Sequence, residues 1–117
     1  MKASVNGIET NYEIHGKEGA PWLTLSHSLA CSVRMWDGQI AAFKDRWHVL
    51  VYDTRGHGGS SAPAGPYALE TLVEDLHALL KHLKIARTRF VGLSMGGMIG
   101  QLFSLSHWRN GLIRSPV

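Results

Sequence analysis

Ser94 has the clearest means to do chemistry, because it stands in Gly92-Leu93-Ser94-Met95-Gly96-Gly97. A serine with glycines two positions before and after suits a nucleophile elbow, a sharp strand-to-helix turn that holds a hydroxyl at its tip. The glycines keep Cβ atoms out of that crowded bend. A helix starting there turns free backbone N–H groups, and the positive end of its dipole, toward developing negative charge. The Met95 N–H is the candidate donor to a tetrahedral oxyanion. The second donor should come from the loop after the central strand, His27-Ser28-Leu29-Ala30, and the Leu29 N–H is the candidate there. His27 ends the strand expected beside that of Ser94. It is weighed as a substitute base against a purely structural place in the oxyanion loop. Asp53, Arg55 and His57 fall in a glycine-rich turn, where such residues commonly satisfy backbone groups, so they read as braces.

Positioning these residues takes alternating strands and helices. Ser4–Thr10 and Asn11–His15, around Asn6-Gly7, read as an N-terminal β-hairpin or meander. Trp22–Ser26 and Trp47–Tyr52 read as strands, the second rich in β-branched and aromatic residues. Met35–Phe43 is expected to be a helix with Trp36, Ile40 and Phe43 on one face. Asp53–Pro66, rich in Gly, Ser and Pro, is expected to be loop. Leu69, Leu72, Val73, Leu76, Leu79, Leu80 and Leu83 recur at helical spacing and predict an amphipathic helix. Arg89–Leu93 then predicts the strand that runs into the elbow, and Met98–Leu105 an apolar helix after it. Strands separated by helices imply a mostly parallel, doubly wound sheet of about five strands, with an antiparallel N-terminal edge.

Four stretches together resemble the 3-oxoadipate enol-lactone hydrolases. They are Met35-Trp36-Asp37, Tyr52-Asp53-Thr54-Arg55-Gly56-His57-Gly58-Gly59-Ser60, Gly65-Pro66-Tyr67, and Gly92 to Gln101. The resemblance runs from about Gly7 to Gln101, and related esterases and haloperoxidases share the general pattern. It implies an α/β-hydrolase fold and a Ser-His-Asp hydrolase of small esters or lactones, with no metal and no cofactor.

In that fold the acid and the histidine follow the nucleophile along the chain. Residues 95–117 contain no Asp or Glu, and their one histidine is His107. A helix rises about 1.5 Å per residue, so His107 is expected roughly 20 Å from Ser94. The chain therefore reads as one partial domain over 1–117, family-like to about residue 106, with an atypical tail at 107–117. Trp108, in that tail, suggests no role. Two functions follow as expectations: a hydrolase with an incomplete triad and weak activity, or an inactive fragment that self-associates. An exposed edge on the nucleophile strand, the apolar helix Met98–Leu105 and the C-terminal segment would favour a homo-oligomer.

Composition narrows the partners. The chain has 117 residues, 44% hydrophobic and 18% charged, which fits an ordered domain. A formal net charge of +3, with Lys and Arg scattered, does not favour nucleic acid. Cys31 is the lone cysteine, so no internal disulfide is possible, and no zinc-ligand spacing is legible. No apolar run approaches the roughly 18 residues of a membrane helix, and Met1–Thr10 lacks a signal-peptide core, so a cytoplasmic location is expected.

Overall fold

The computed structural model describes residues 1–107 and the backbone of 113–114. The elements are β1 (Lys2–Val5), β2 (Ile8–Gly16), β3 (Trp22–Ser26), a 3₁₀ turn (Val33–Trp36), α1 (Asp37–Phe43), β4 (His48–Tyr52), α2 (Leu69–His82), β5 (Thr88–Gly92), α3 (Met95–His107) and β6 (Ile113–Arg114). The sheet order is β1-β2-β4-β3-β5-β6. β1 and β2 join through Asn6-Gly7, both at positive φ (50° and 77°), as a tight hairpin turn requires. β2 pairs antiparallel with β4, and β3 runs parallel between β4 and β5. Ser26 thus lies level with Tyr52 on one side and Gly92 on the other.

Four expectations need adjustment. The N-terminal runs divide at Asn6-Gly7 into Lys2–Val5 and Ile8–Gly16, not between Thr10 and Asn11, because the positive-φ pair makes the turn. The segment at Met35–Phe43 is not one helix, because Ser32 caps a 3₁₀ turn through the Arg34 N–H before α1 begins at Asp37. The helix expected at Met98–Leu105 starts three residues earlier, immediately after Ser94. The edge of β5 is not wholly open, since Ile113–Arg114 pairs with Thr88 and Arg89; a strand edge offers unpaired N–H and C=O groups that such a segment satisfies. The rest of the tail, Trp108 included, lies outside the described residues.

The helices cover the sheet on both faces. Leu72, Val73, Leu76, Leu79 and Leu80 of α2 bury against Leu50, Phe90, Ile99 and Phe103. On the other face Val33, Trp36 and Ile40 pack on Leu23, Leu25, Val49 and Val51. Each fully buried aliphatic side chain contributes about 1.5–3 kcal/mol relative to exposure. α3 is half engaged: Ile99 and Phe103 are fully buried, while Met98 (52%) and Leu105 (75%) are exposed.

Two buried polar residues fix the loops at the carboxyl edge of the sheet. Asp53 Oδ1 accepts from the Val33 N–H (2.8 Å), and Oδ2 accepts from the Gly59 N–H (2.8 Å) and Asn11 Nδ2 (2.9 Å). The Ser60 hydroxyl donates to the Asp53 carbonyl at 2.6 Å and receives the Asn11 N–H at 2.9 Å. His27, fully buried, accepts the Thr54 N–H at Nε2 (2.9 Å). Its Nδ1 therefore carries the proton and donates to the Ser28 carbonyl (2.7 Å). Burial, the dominant cause, holds the His27 pKa below its ordinary value of 6.5, the charge of His57 acts the same way, and the Ser28 hydrogen bond and Asp53 oppose it.

Asp53→Asn should destabilise the fold by about 1–3 kcal/mol, because whichever way the amide turns, its NH₂ faces a backbone N–H donor; urea denaturation reads the loss. His27 supplies a second test. Its folded pKa is depressed, so its contribution is full above pH 6.5 and is lost as pH falls below that value. The unfolding free energy of the wild type should therefore drop more steeply between pH 7 and pH 5 than that of His27→Gln, and parallel profiles would contradict the assignment.

Candidate functional site

Gly92 ends β5 and Met95 starts α3, so only Leu93 and Ser94 are left to reverse the chain direction. Ser94 takes φ 55°, in the left-handed region that non-glycine residues rarely adopt. Such a conformation costs of the order of 1–3 kcal/mol and persists only where surrounding packing enforces it. The enforcement is visible in the two motif glycines. A Cβ at Gly96 would run into the Ser26 carbonyl, and one at Gly92 into the backbone of Gly96 and Gly97. The Leu93 N–H donates to the Ser26 carbonyl at 3.2 Å, which ties the turn to the end of β3. Ser94 itself is exposed.

The loop after β3 lies directly beside this turn, because Ser26 is level with Gly92. Ser28 shapes it: its carbonyl accepts from His27 Nδ1 and from the Cys31 N–H (3.2 Å), and Ala30 takes φ 61°. Leu29 sits at the crest, 68% exposed. Among the described residues, neither the Leu29 N–H nor the Met95 N–H has a hydrogen-bond acceptor. The Gly96 N–H, by contrast, bonds back to the Leu93 carbonyl at 3.0 Å. The Met95 amide is also one of the donors that any helix leaves unmatched in its first turn. The Met95 side chain is buried in the core, among residues that include Tyr52, Leu76 and Ile99.

The other residues named from the sequence fall into two places. His27 and His57 lie in the loops beside the turn, with ring centroids 5.1 Å apart. Neither His27 nitrogen is available to take a proton from Ser94, since Nε2 is filled by the Thr54 N–H and Nδ1 already carries hydrogen. The Asp53 carboxylate is taken up by donors from Val33, Gly59 and Asn11. Arg55 turns away to a paired contact with buried Asp75, at 2.8 Å through both Nε and Nη2, and so ties the glycine-rich loop to α2. Asp75, which periodicity hid inside the α2 stripe, also accepts from Asn6 Nδ2 at 2.7 Å. The structure does not bring His107 to Ser94. It sits at the far end of α3 and contacts Glu74 of α2 at 3.2 Å.

Ser94 is thus held exposed on a strained turn, with unmatched amides at the helix start and on the neighbouring loop. That arrangement can present a hydroxyl to an electrophilic carbon and hydrogen bonds to an oxygen acquiring charge.

Known proteins share both the sequence and the shape. The family described as alpha/beta hydrolase fold matches residues 21–117. The chain is 46% identical over 98 residues to 3-oxoadipate enol-lactonase 2 of Acinetobacter baylyi, covering 84% of this chain and 37% of that protein. It is 40% identical over 98 residues to 3-oxoadipate enol-lactonase 1 of the same organism, covering 84% and 36%. The crystal structure of the enol-lactonase from Burkholderia xenovorans LB400 superposes with a TM-score of 0.93 at 46% identity, over 98% of this chain and 45% of that one. The chain spans less than half the length of these relatives. On the family match and on this geometry, the chain belongs to the alpha/beta hydrolase fold family.

Proposed function

We propose that this chain carries the nucleophilic half of a serine hydrolase acting on carboxylic esters, with enol lactones as the favoured class. The observation that supports it is Ser94, exposed at φ 55° between β5 and α3. The similarity to three enol-lactonases supports the substrate class. Ser94 Oγ attacks the carbonyl carbon, and the electron pair of the C=O bond moves onto its oxygen. The Leu29 and Met95 N–H groups donate to that oxyanion. Collapse re-forms the carbonyl, breaks the bond to the ring oxygen and leaves an acyl group on Ser94, which water then removes. An enol oxygen leaves as a delocalised enolate, so it demands less protonation than an alkoxide.

The proton of Ser94 leaves as its oxygen attacks; without a side-chain base it passes to solvent water, and the departing enolate takes a proton back from solvent. In this fold acid and histidine come after the nucleophile, and residues 95–117 hold neither an Asp nor a Glu. Their one histidine pairs with Glu74. Residues 1–117 taken alone, with an oxyanion hole and no acid after Ser94, should turn over slowly; serine proteases that lose a triad member retain about 10³–10⁴-fold over water.

The first test is chemical. Incubation with an activated acetate ester should acetylate a peptide containing Ser94, detected by mass spectrometry, and Ser94→Ala should abolish that adduct. Acetylation spread equally over other residues in both proteins would overturn the assignment. A second test addresses assembly. Exposed Leu93, Met98 and Leu105 favour a homo-oligomer. Apart from Ile113–Arg114, the C-terminal segment that could exchange lies outside the described residues. Light scattering at micromolar concentration should give more than the 12.9 kDa of one chain, and Met98→Lys should lower the value; a monomer in both cases would remove self-association.

A further inference from the structure

Far from Ser94, three side chains meet where α3 ends against α2. Glu74 and His77 stand one turn apart on α2, and His107 is the last residue of α3. His107 Nε2 lies 3.2 Å from Glu74 Oε1, and His77 Nδ1 lies 3.9 Å from Glu74 Oε2. The two imidazoles stack with centroids 4.3 Å apart, and both lean on the ring of Phe103. One carboxylate thus faces two imidazoles from different helices. A ligand atom from each of the three residues lies within 4.8 Å of the other two.

We propose that Glu74, His77 and His107 form a site for one divalent transition-metal ion, with Zn²⁺ the ion whose chemistry fits best. Two imidazole nitrogens and one carboxylate oxygen are a common zinc ligand set, with bonds of about 2.0–2.2 Å and a fourth position for water. Ca²⁺ and Mg²⁺ prefer oxygen ligands throughout, so a site that is two-thirds imidazole does not suit them. Around a four-coordinate ion of that size, ligand atoms sit roughly 3.3 Å apart. Closing the trio onto an ion requires the two imidazoles to turn out of their stacked arrangement; Glu74 (53%) and His77 (31%) are open to solvent, and His107 (15%) is the more enclosed partner.

A Glu and a His at i and i+3 would by themselves be an ordinary solvated pair worth little. The second helix supplies what that pair lacks, a third ligand whose position depends on tertiary packing. Binding would therefore cross-link the end of α3 to α2, and the ion would favour the folded chain over the unfolded one. The site is independent of Ser94 chemistry, since it sits at the opposite end of α3.

Isothermal titration of ZnCl₂ into tag-free, EDTA-treated protein tests this directly. The wild type should bind one ion per chain and melt at a higher temperature with Zn²⁺ than with EDTA. His77→Ala and His107→Ala should each weaken binding by about tenfold or more, since even groups that only support a ligand are worth that much. Glu74→Gln, a near-isosteric change at an exposed residue, carries the same expectation should a histidine variant fail to fold. His82→Ala, on the same helix but outside the trio, should bind Zn²⁺ like the wild type. No Zn²⁺ binding by the wild type, unchanged binding in the trio variants, or equal loss in His82→Ala would overturn the site.

Discussion

At the carboxyl end of β3 the backbones of three segments pass so close together that no side chain fits between them. Gly96 lies against the Ser26 carbonyl, and Gly92 lies against Gly96 and Gly97. Much of the candidate site is a consequence of that contact. Once β5 pairs with β3 up to Gly92, and α3 must start at Met95, Leu93 and Ser94 make the whole turn. Ser94 is then driven to φ 55° at an expense of the order of 1–3 kcal/mol. Burial of Ile99 and Phe103 on the following turns of α3 contributes about 1.5–3 kcal/mol each, enough to hold the strain in place. A helix that could slide would relax the serine; this one is pinned by a carbonyl at its first turn and by the core at its second and third.

The same edge of the sheet explains why two polar residues are fully buried beside it. A loop carrying free amides must not collapse onto its own carbonyls, so its conformation has to be set from outside. His27 does this with neutral hydrogen bonds, one to Ser28 in its own loop and one from Thr54 in the next. Asp53 does it with charge, gathering two backbone N–H groups and the Asn11 amide on two oxygens. Burying a carboxylate is tolerable where both of its oxygens find donors. Arg55 and Asp75 extend the brace to α2, so the loops above the sheet are anchored to both neighbouring layers.

How much of this was legible in the sequence depends on whether the signal was local. Asn6-Gly7, the strand Trp22–Ser26 and the leucine stripe of α2 announce themselves within a few residues, and the structure puts them at or within a residue or two of those limits. Gly92 and Gly96 were legible for the same reason, although their partner, the Ser26 carbonyl, was not. The division of Met35–Phe43 was hidden because the Ser32 cap acts before the periodic stretch begins. Asp75 was hidden because a buried acid inside an apolar stripe becomes intelligible only when Arg55, distant in sequence, is placed beside it. The meeting of Glu74, His77 and His107 was hidden more completely. No spacing rule covers ligands split between two helices, and their approach depends on how α3 lies across α2.

On the proposed chemistry, the two tasks of a serine hydrolase are encoded at different ranges. Holding an oxyanion takes backbone amides at the end of β3 and the start of α3, and the sheet register that aligns Ser26 with Gly92 brings those two places together. Moving a proton takes a side chain of matched pKa at hydrogen-bonding distance from Ser94 Oγ, and no such partner can come from the elbow itself. The nearby histidine is unsuited for a physical reason: the bonds that make His27 a good brace fill both of its nitrogens. His107 is unsuited for a geometric one, since a helix carries its last residue away from its first. On that proposal the folded segment builds the electrostatic part of the site from its own backbone, and proton transfer requires a side chain brought to Ser94 from outside the elbow. Electrostatic stabilisation is commonly the larger contribution to rate. A nucleophile placed this way can thus be reactive toward activated acyl groups, whose leaving groups need little help, while remaining slow toward ordinary esters, where protonation of the departing oxygen limits collapse.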